Sequence, residues 1–212
     1  MKIVSLEGIG GSGKSTLSKL AKKKLTKKGL KILLRRPITR YRLEEALSSF
    51  PGKRERVWVS KLPVVPPREE ALCYLALLIK DNECLLKPNY DLVIFDRYID
   101  TISSGVAARN NLSGRQLNFK RYYDWFKQTC YKKIKMPDKT IVLNLEMNLA
   151  EKRTILREME GYTKRDRLLF SKISEFYEFL ESQEPKRVRF IDSQRGIGEV
   201  LNDVLREIES VI

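Results

Sequence analysis

The feature that most constrains this chain is local and lies at its start. A short apolar, partly β-branched segment, Lys2 to Leu6, runs into Gly8-Ile-Gly-Gly-Ser-Gly-Lys14-Ser15, after which Leu17, Leu20, Ala21 and Leu25 recur at helical spacing. A strand, a glycine-rich loop and a helix in that order commit the chain to one local geometry. Glycines let successive backbone N–H groups turn inward around an anion, and the helix N-terminus adds partial positive charge at the same point. Gly-x4-Gly-Lys-Ser is the phosphate-binding loop of nucleotide-binding α/β proteins. Gly8, Gly10, Gly11, Ser12, Gly13, Lys14, Ser15 and Thr16 are therefore expected to hold ATP. Lys14 would reach the β- and γ-phosphates, and Ser15 would place its hydroxyl on Mg²⁺.

Four more segments read as strands: Lys31 to Leu34, Asp91 to Phe95, Thr140 to Leu145 and Val188 to Ile191. Longer stretches of helical period separate them, such as Leu169, Ile173, Phe176, Tyr177 and Leu180. This alternation predicts a three-layer α/β fold with a five-stranded parallel sheet between helices. At 212 residues, with no repeat or low-complexity linker, the chain is expected to form a single domain, 1–212. Gly29, after a lysine-rich last turn, is the expected stop of the first helix. Residues 50–67, with five Pro and Gly positions, should be the longest irregular stretch. Residues 115–131 carry Phe119, Tyr122, Tyr123, Trp125, Phe126 and Tyr131 on one helix, read first as core and second as a subunit contact.

Composition excludes several chemistries. The chain has no histidine, which removes Ser-His-Asp catalysis and histidine-bearing zinc sites. Cys73, Cys84 and Cys130 show no close pairing, so neither a disulfide framework nor a CxxC metal site is supported, and they read as buried apolar residues. No apolar run is long enough to span a bilayer, and Met1 leads into no signal-peptide pattern, so a soluble, cytoplasmic protein without membrane association is expected. The net charge of +15 is concentrated early: residues 1–62 hold 17 Lys and Arg against 4 Asp and Glu. That excess suits polyanionic nucleotides, nucleic acid or a solvated surface. No aromatic residues interleave with Lys22 to Lys28 to stack bases, which favours the solvated face.

Two further groups extend the phosphate site. Asp96 ends the apolar strand Leu92-Val-Ile-Phe95 and is positioned to hold the metal's water shell, with capping of the strand end as its alternative role. Arg97 follows it and would face the crevice beyond the carboxyl ends of the strands. After the fourth strand comes a basic stretch with Lys152, Arg153, Arg157, Lys164, Arg165 and Arg167. It is expected to form a short arginine-rich lid, about 150–167, in which one or two arginines, Arg153 and Arg157 being the candidates, neutralise the transferring phosphoryl group.

With these residues in view, the chain resembles the thymidylate kinase family of P-loop nucleoside monophosphate kinases over nearly its whole length. Leu6-Glu-Gly-Ile-Gly-Gly-Ser-Gly-Lys-Ser-Thr-Leu17 is similar to the family's phosphate loop, and Asp96-Arg97-Tyr98-Ile99-Asp100-Thr101 to its DRY segment. Phe190-Ile-Asp-Ser, with Val200 beyond, is similar to its last strand and helix. The resemblance implies a P-loop kinase fold, a homodimer, and transfer of the ATP γ-phosphoryl group to a monophosphate, dTMP by family precedent. Lys14 and Arg97 would be catalytic, with Arg97 and Tyr98 also at the acceptor. Arg35-Arg-Pro37 is similar to a loop whose arginine binds the acceptor phosphate, a role for Arg36 or Arg40. Tyr74 falls where the family stacks an aromatic on the base, and a core tyrosine is the alternative.

The chain departs from the family on the acceptor side. Gly10 replaces an acidic residue, Leu78 stands where a helical arginine is usual, and Ile102 and Gly105 replace a polar base-reading residue and an aromatic. Two other functions therefore stay open at this point. A deoxynucleoside kinase would need a carboxylate base, for which Glu7 and Asp100 are candidates. A nucleotide-binding protein with little or no kinase activity would associate with nucleic acid through the basic N-terminal third.

Overall fold

The computed structural model describes residues 1–36, 66–85, 89–130 and 133–212. Five strands, β1 (Lys2–Glu7), β2 (Ile32–Arg35), β3 (Leu92–Asp96), β4 (Lys139–Asn144) and β5 (Val188–Asp192), form one all-parallel sheet in the order β2-β3-β1-β4-β5. Each begins and ends within one residue of the segment read from sequence. Seven helices lie among the described residues: α1 (Lys14–Lys27), α2 (Pro67–Leu85), α3 (Ile99–Leu112), α4 (Phe119–Cys130), α5 (Met147–Glu158), α6 (Lys164–Gln183) and α7 (Ile197–Glu209).

Strand period explains the layering. Ile3, Val93, Phe95, Val142 and Val188 face one way and pack with residues of α2, α3, α4 and α6, while Val4, Leu6, Ile32, Ile94, Ile141 and Leu143 face the other and pack with α1 and α7. Both faces are covered, which is why the strands read as near-continuous apolar runs. Each such side chain contributes roughly 1.5–3 kcal/mol on burial.

The aromatic helix α4 is core. Tyr122, Tyr123 and Phe126 are buried, and Phe119 meets Phe176 of α6 edge-on at 5.0 Å. Gly29 ends α1 at φ 92°, where an L side chain would be strained. Residues 50–65 of the proline-rich stretch lie outside the described residues, and Pro67, read as loop, instead opens α2, since proline suits the first helical position. Of the cysteines, Cys130 is buried, its thiol pushed up to about 12 by burial, but Cys73 is exposed on α2, contrary to expectation. The 3.6-residue period of the helix puts it on the outer face, which cysteine composition alone does not reveal. No helix among the described residues is long and apolar enough to cross a membrane.

The register matters most for the site. β1 pairs with β3 so that Leu6 stands opposite Asp96. The loop leaving β1 and the residues leaving β3 therefore emerge side by side at the carboxyl edge of the sheet.

Candidate active site

The loop between β1 and α1 is shaped by three glycines at positive φ: Gly8 (127°), Gly11 (69°) and Gly13 (94°). Close approach adds a second requirement. A Cβ on Gly11 would lie 2.4 Å from the Ala150 carbonyl oxygen of α5, and one on Gly10 would lie 2.9 Å from the Tyr162 hydroxyl. The acidic residue expected at position 10 from the family has no room here, because Tyr162 fills that place. Its hydroxyl stands 3.0 Å from Thr154 Oγ1, and its backbone N–H donates to Glu151 at 2.8 Å.

Lys14 opens α1 and is buried. Its Nζ donates to the Ile9 carbonyl at 2.5 Å and to Ser12 Oγ at 3.0 Å. Burial, and next the charge of Arg97, hold its pKa well below the ordinary lysine value. A polyphosphate at this point would oppose both effects by supplying negative charge.

Ser15 Oγ donates to Asp96 Oδ2 at 2.5 Å, and Arg36 Nε lies 3.7 Å from the same oxygen. Asp96 Oδ1 is buried and has no hydrogen-bond partner among the described residues. Arg97 then takes φ 73°, a left-handed conformation that costs a non-glycine residue about 1–3 kcal/mol. Two contacts hold it: its N–H donates to the Leu6 carbonyl at 3.1 Å and its Nη1 to the Gly8 carbonyl at 3.2 Å. The reversal aims the guanidinium back over the phosphate loop. It also sends Tyr98 the other way, which corrects the expected acceptor contact. The Tyr98 ring is fully buried, stacked on Phe95 at 4.0 Å, with its hydroxyl donating to the Lys135 carbonyl at 3.1 Å.

A cavity of about 370 Å³ opens above these groups. Residues 10–17 of the loop and α1 line it with Arg36, Arg97, Arg153 and Arg157. Arg153 and Arg157 are four apart on α5 and share a helical face, and Arg153 also donates to the Ser193 carbonyl at 3.3 Å. Lys152, Lys164 and Arg165 are exposed and do not line the cavity, while Arg167 is tied to Glu151 and Asn148. The far wall holds Ser193, Arg195 and Ile197 between β5 and α7. Sequence reading gave none of these three a site role: Ser193 entered only as the end of Phe190-Ile-Asp-Ser, and Arg195 and Ile197 belong to no motif.

On the acceptor side, Arg40 lies outside the described residues. Tyr74 is buried on α2, and Leu78, one turn further, is buried and apolar. The cation beside Tyr74 comes from α3: Arg109 Nη2 donates to the Tyr74 hydroxyl at 3.3 Å and pairs with Glu70, and its guanidinium lies 5.8 Å from the Tyr74 ring centroid. Neither Glu70 nor Arg109 belongs to a recognisable motif.

The two carboxylates that a nucleoside kinase would use as a base are committed elsewhere. Glu7 accepts hydrogen bonds from Tyr98 N at 2.8 Å, from Tyr177 OH at 3.1 Å and from Thr101 Oγ1. Burial, then the charge of Asp100, raise its pKa from 4.5 to about 7. Asp100 accepts from Thr140 Oγ1 at 2.7 Å and is paired with Arg187 at 2.6 Å. Glu7 ties α3 and α6 to β1, and Asp100 ties α3 to β4 and to Arg187 ahead of β5.

A phosphate loop and a strand-end Asp-Arg pair meeting at the carboxyl edge of a 2-3-1-4-5 parallel sheet, under a helix that presents arginines, define the class of P-loop kinases that transfer phosphoryl groups. Comparison with known proteins narrows the class. The thymidylate kinase family model matches residues 6–204. The chain is 30% identical to a probable thymidylate kinase of Pyrobaculum aerophilum, covering 100% of this chain and 98% of that one. It is 27% identical to a thymidylate kinase of Shouchella clausii (99% and 95% covered) and 26% identical to one of Methylococcus capsulatus (100% and 96% covered). The chain belongs to the thymidylate kinase family and is an ATP-dependent nucleoside monophosphate kinase.

Proposed function

We propose that the protein transfers the γ-phosphoryl group of ATP to dTMP, forming dTDP. The observation that carries this reading is the convergence of Lys14 and Arg97 on one loop, with Ser15 and Asp96 in contact at its base. An acceptor phosphate already bears a nucleophilic oxygen near neutral pH, so transfer requires positioning and charge neutralisation rather than a base. That matches a chain without histidine whose Glu7 and Asp100 are otherwise engaged. Lys14 neutralises the β- and γ-phosphates, Arg97 bridges donor and acceptor, and Arg153 and Arg157 close from the lid at 150–167 of a single domain.

The Ser15 hydroxyl and the unpartnered Asp96 Oδ1 are hard oxygen donors that suit Mg²⁺, with the carboxylate acting through the ion's water shell. When bound there, Mg²⁺ supplies a Lewis-acid charge that shields the phosphates. Arg36, or Arg40, holds the acceptor phosphate, and Tyr74 flanks the base. By family kinship the protein works in the cytoplasm as a homodimer, which sedimentation at micromolar concentration checks.

The test is turnover with ATP, Mg²⁺ and a panel of nucleoside monophosphates. Formation of dTDP ahead of the other diphosphates is expected. No diphosphate from any member of the panel would refute the reading.

A further inference from the structure

We infer that the groove between the start of α2 and the start of α4 is a second anion site, separate from the phosphate loop, and that it takes a ligand bearing a polyphosphate group. The site stands or falls apart from the choice of monophosphate in the crevice described above.

Charge comes first. A cavity of about 450 Å³ lies in this groove, within the size range of small-molecule sites. It shares no lining residue with the cavity over the phosphate loop. Three arginines line it from three pieces of chain: Arg68 in the first turn of α2, Arg115 in the connection between α3 and α4, and Arg121 in the first turn of α4. No acidic side chain among the described residues lines it. Glu70 on α2 is paired with Arg109, Asp124 on α4 is paired with Lys120, and Glu69 is exposed and outside the lining. None of the three guanidiniums forms an ion pair among the described residues, while Arg68 lies over the Trp125 ring at 5.4 Å from its centroid. Like charges gathered without a counter-charge repel one another, and an anion between them turns that repulsion into attraction.

The framework comes second. The Arg115 N–H donates to the Asn110 carbonyl at 3.2 Å and the Leu117 N–H to Asn111 Oδ1 at 2.7 Å. Asn118 Oδ1 accepts from the Arg121 N–H at 2.9 Å and so caps the start of α4. These bonds set the backbone from which two of the arginines project, which lowers the cost of ordering them around a ligand. Tyr122 also lines the cavity; its side chain is buried, and its hydroxyl has no hydrogen-bond partner among the described residues. A lining residue thus keeps one donor unspent.

A guanidinium grips phosphate oxygens through two parallel N–H donors. Three of them exceed what a single monoanion satisfies and match a group with several charges, as in pyrophosphate or a nucleoside triphosphate. Pro67 and Leu117 add apolar surface to the same wall, against which a nucleoside would rest. A ligand held by all three arginines fastens the first turn of α2 to α4.

Isothermal titration of the full chain with pyrophosphate counts the sites. Arg115→Ala combined with Arg121→Ala, both at exposed positions, should bind one equivalent fewer than the wild type, with KM for ATP and the melting temperature unchanged. Arg121→Ala alone should weaken that equivalent by about tenfold or more. Equal stoichiometry in the wild type and the double variant overturns the inference while the kinase reading stands, and so does an equivalent that Arg121→Ala leaves at full affinity. Titration with dTTP then separates two sources of the same chemistry. Binding tighter than that of pyrophosphate, and lost in the double variant, assigns the site to a nucleoside triphosphate; equal or weaker binding assigns it to free polyphosphate.

Discussion

The donor and acceptor ends of the crevice are built from different material. The donor end is backbone: glycines at positive φ, a helix N-terminus, and loop carbonyls that already hold Lys14 and Arg97. The cluster around Tyr74, proposed to flank the acceptor base, is side chain: Tyr74 and Glu70 from α2 and Arg109 from α3, whose Nη1 lies 3.5 Å from where a Cβ on Gly105 would stand. Backbone geometry tolerates almost no substitution, since a misplaced Cβ meets atoms that cannot rotate away. A site made of side chains can be rebuilt from neighbouring helices while keeping its chemistry. The phosphate loop keeps the glycines, Lys14 and Ser15 of its motif and departs from the family at Gly10, whereas α2 and α3 depart at Leu78, Ile102 and Gly105.

Lys14→Met strikes the donor end hardest. Removal of a charge aimed at the transferring group should lower kcat by about 1000-fold, read in a coupled turnover assay with folding verified by circular dichroism. A loss of only a few-fold would hand the main electrostatic role to Arg97. Next in size, Gly11→Ala forces a Cβ to 2.4 Å from a backbone carbonyl at φ 69° and should cost about 2–3 kcal/mol in urea unfolding. If it costs nothing, the backbone account of this end is wrong.

Glu7 tests the seam between the two ends, because it binds the backbone of Tyr98 from beneath the phosphate loop. Its carboxyl is raised from 4.5 to about 7 by burial and Asp100. Between those values the folded chain keeps a proton that the unfolded chain releases, so stability falls as pH rises across that window, by up to about 3 kcal/mol. Above about pH 7 the loss is complete and the curve is flat. Glu7→Gln should erase the slope in melting temperature measured from pH 4.5 to 7.5, whereas an undiminished slope would assign it to another group. The smallest effect is expected at Gly10. Gly10→Ala meets only the tip of a movable side chain and should cost about 1 kcal/mol, which Tyr162→Phe in the same chain should largely restore.

The same contrast decides what was legible in the sequence. All five strands were readable because each is a short apolar run closed by turn residues. The donor site was readable because its groups lie within one loop and one strand end. Tyr98 was misassigned since nothing in Asp-Arg-Tyr announces that the chain reverses at Arg97 and turns the ring inward. Arg109 and Glu70 are 39 residues apart and meet only when α2 and α3 pack, so no spacing rule could join them. Arg153 and Arg157, expected as lid arginines, fall between these cases. The four-residue step from Arg153 to Arg157 places both on one face of α5, which separates them from Arg165 and Arg167 once the helix bounds are known.

The place of Tyr162 over Gly10 carries a consequence for how this protein can vary. Tyr162 occupies the volume that a side chain at position 10 would need, so the two positions, 152 residues apart in the chain, share one space. A lineage that acquires an acidic residue in the phosphate loop must first shorten or withdraw the tyrosine, and one that enlarges the tyrosine's contacts must keep the glycine. A larger side chain at position 10 should therefore appear only together with a smaller or withdrawn one at 162, as a key fits only a lock cut for it.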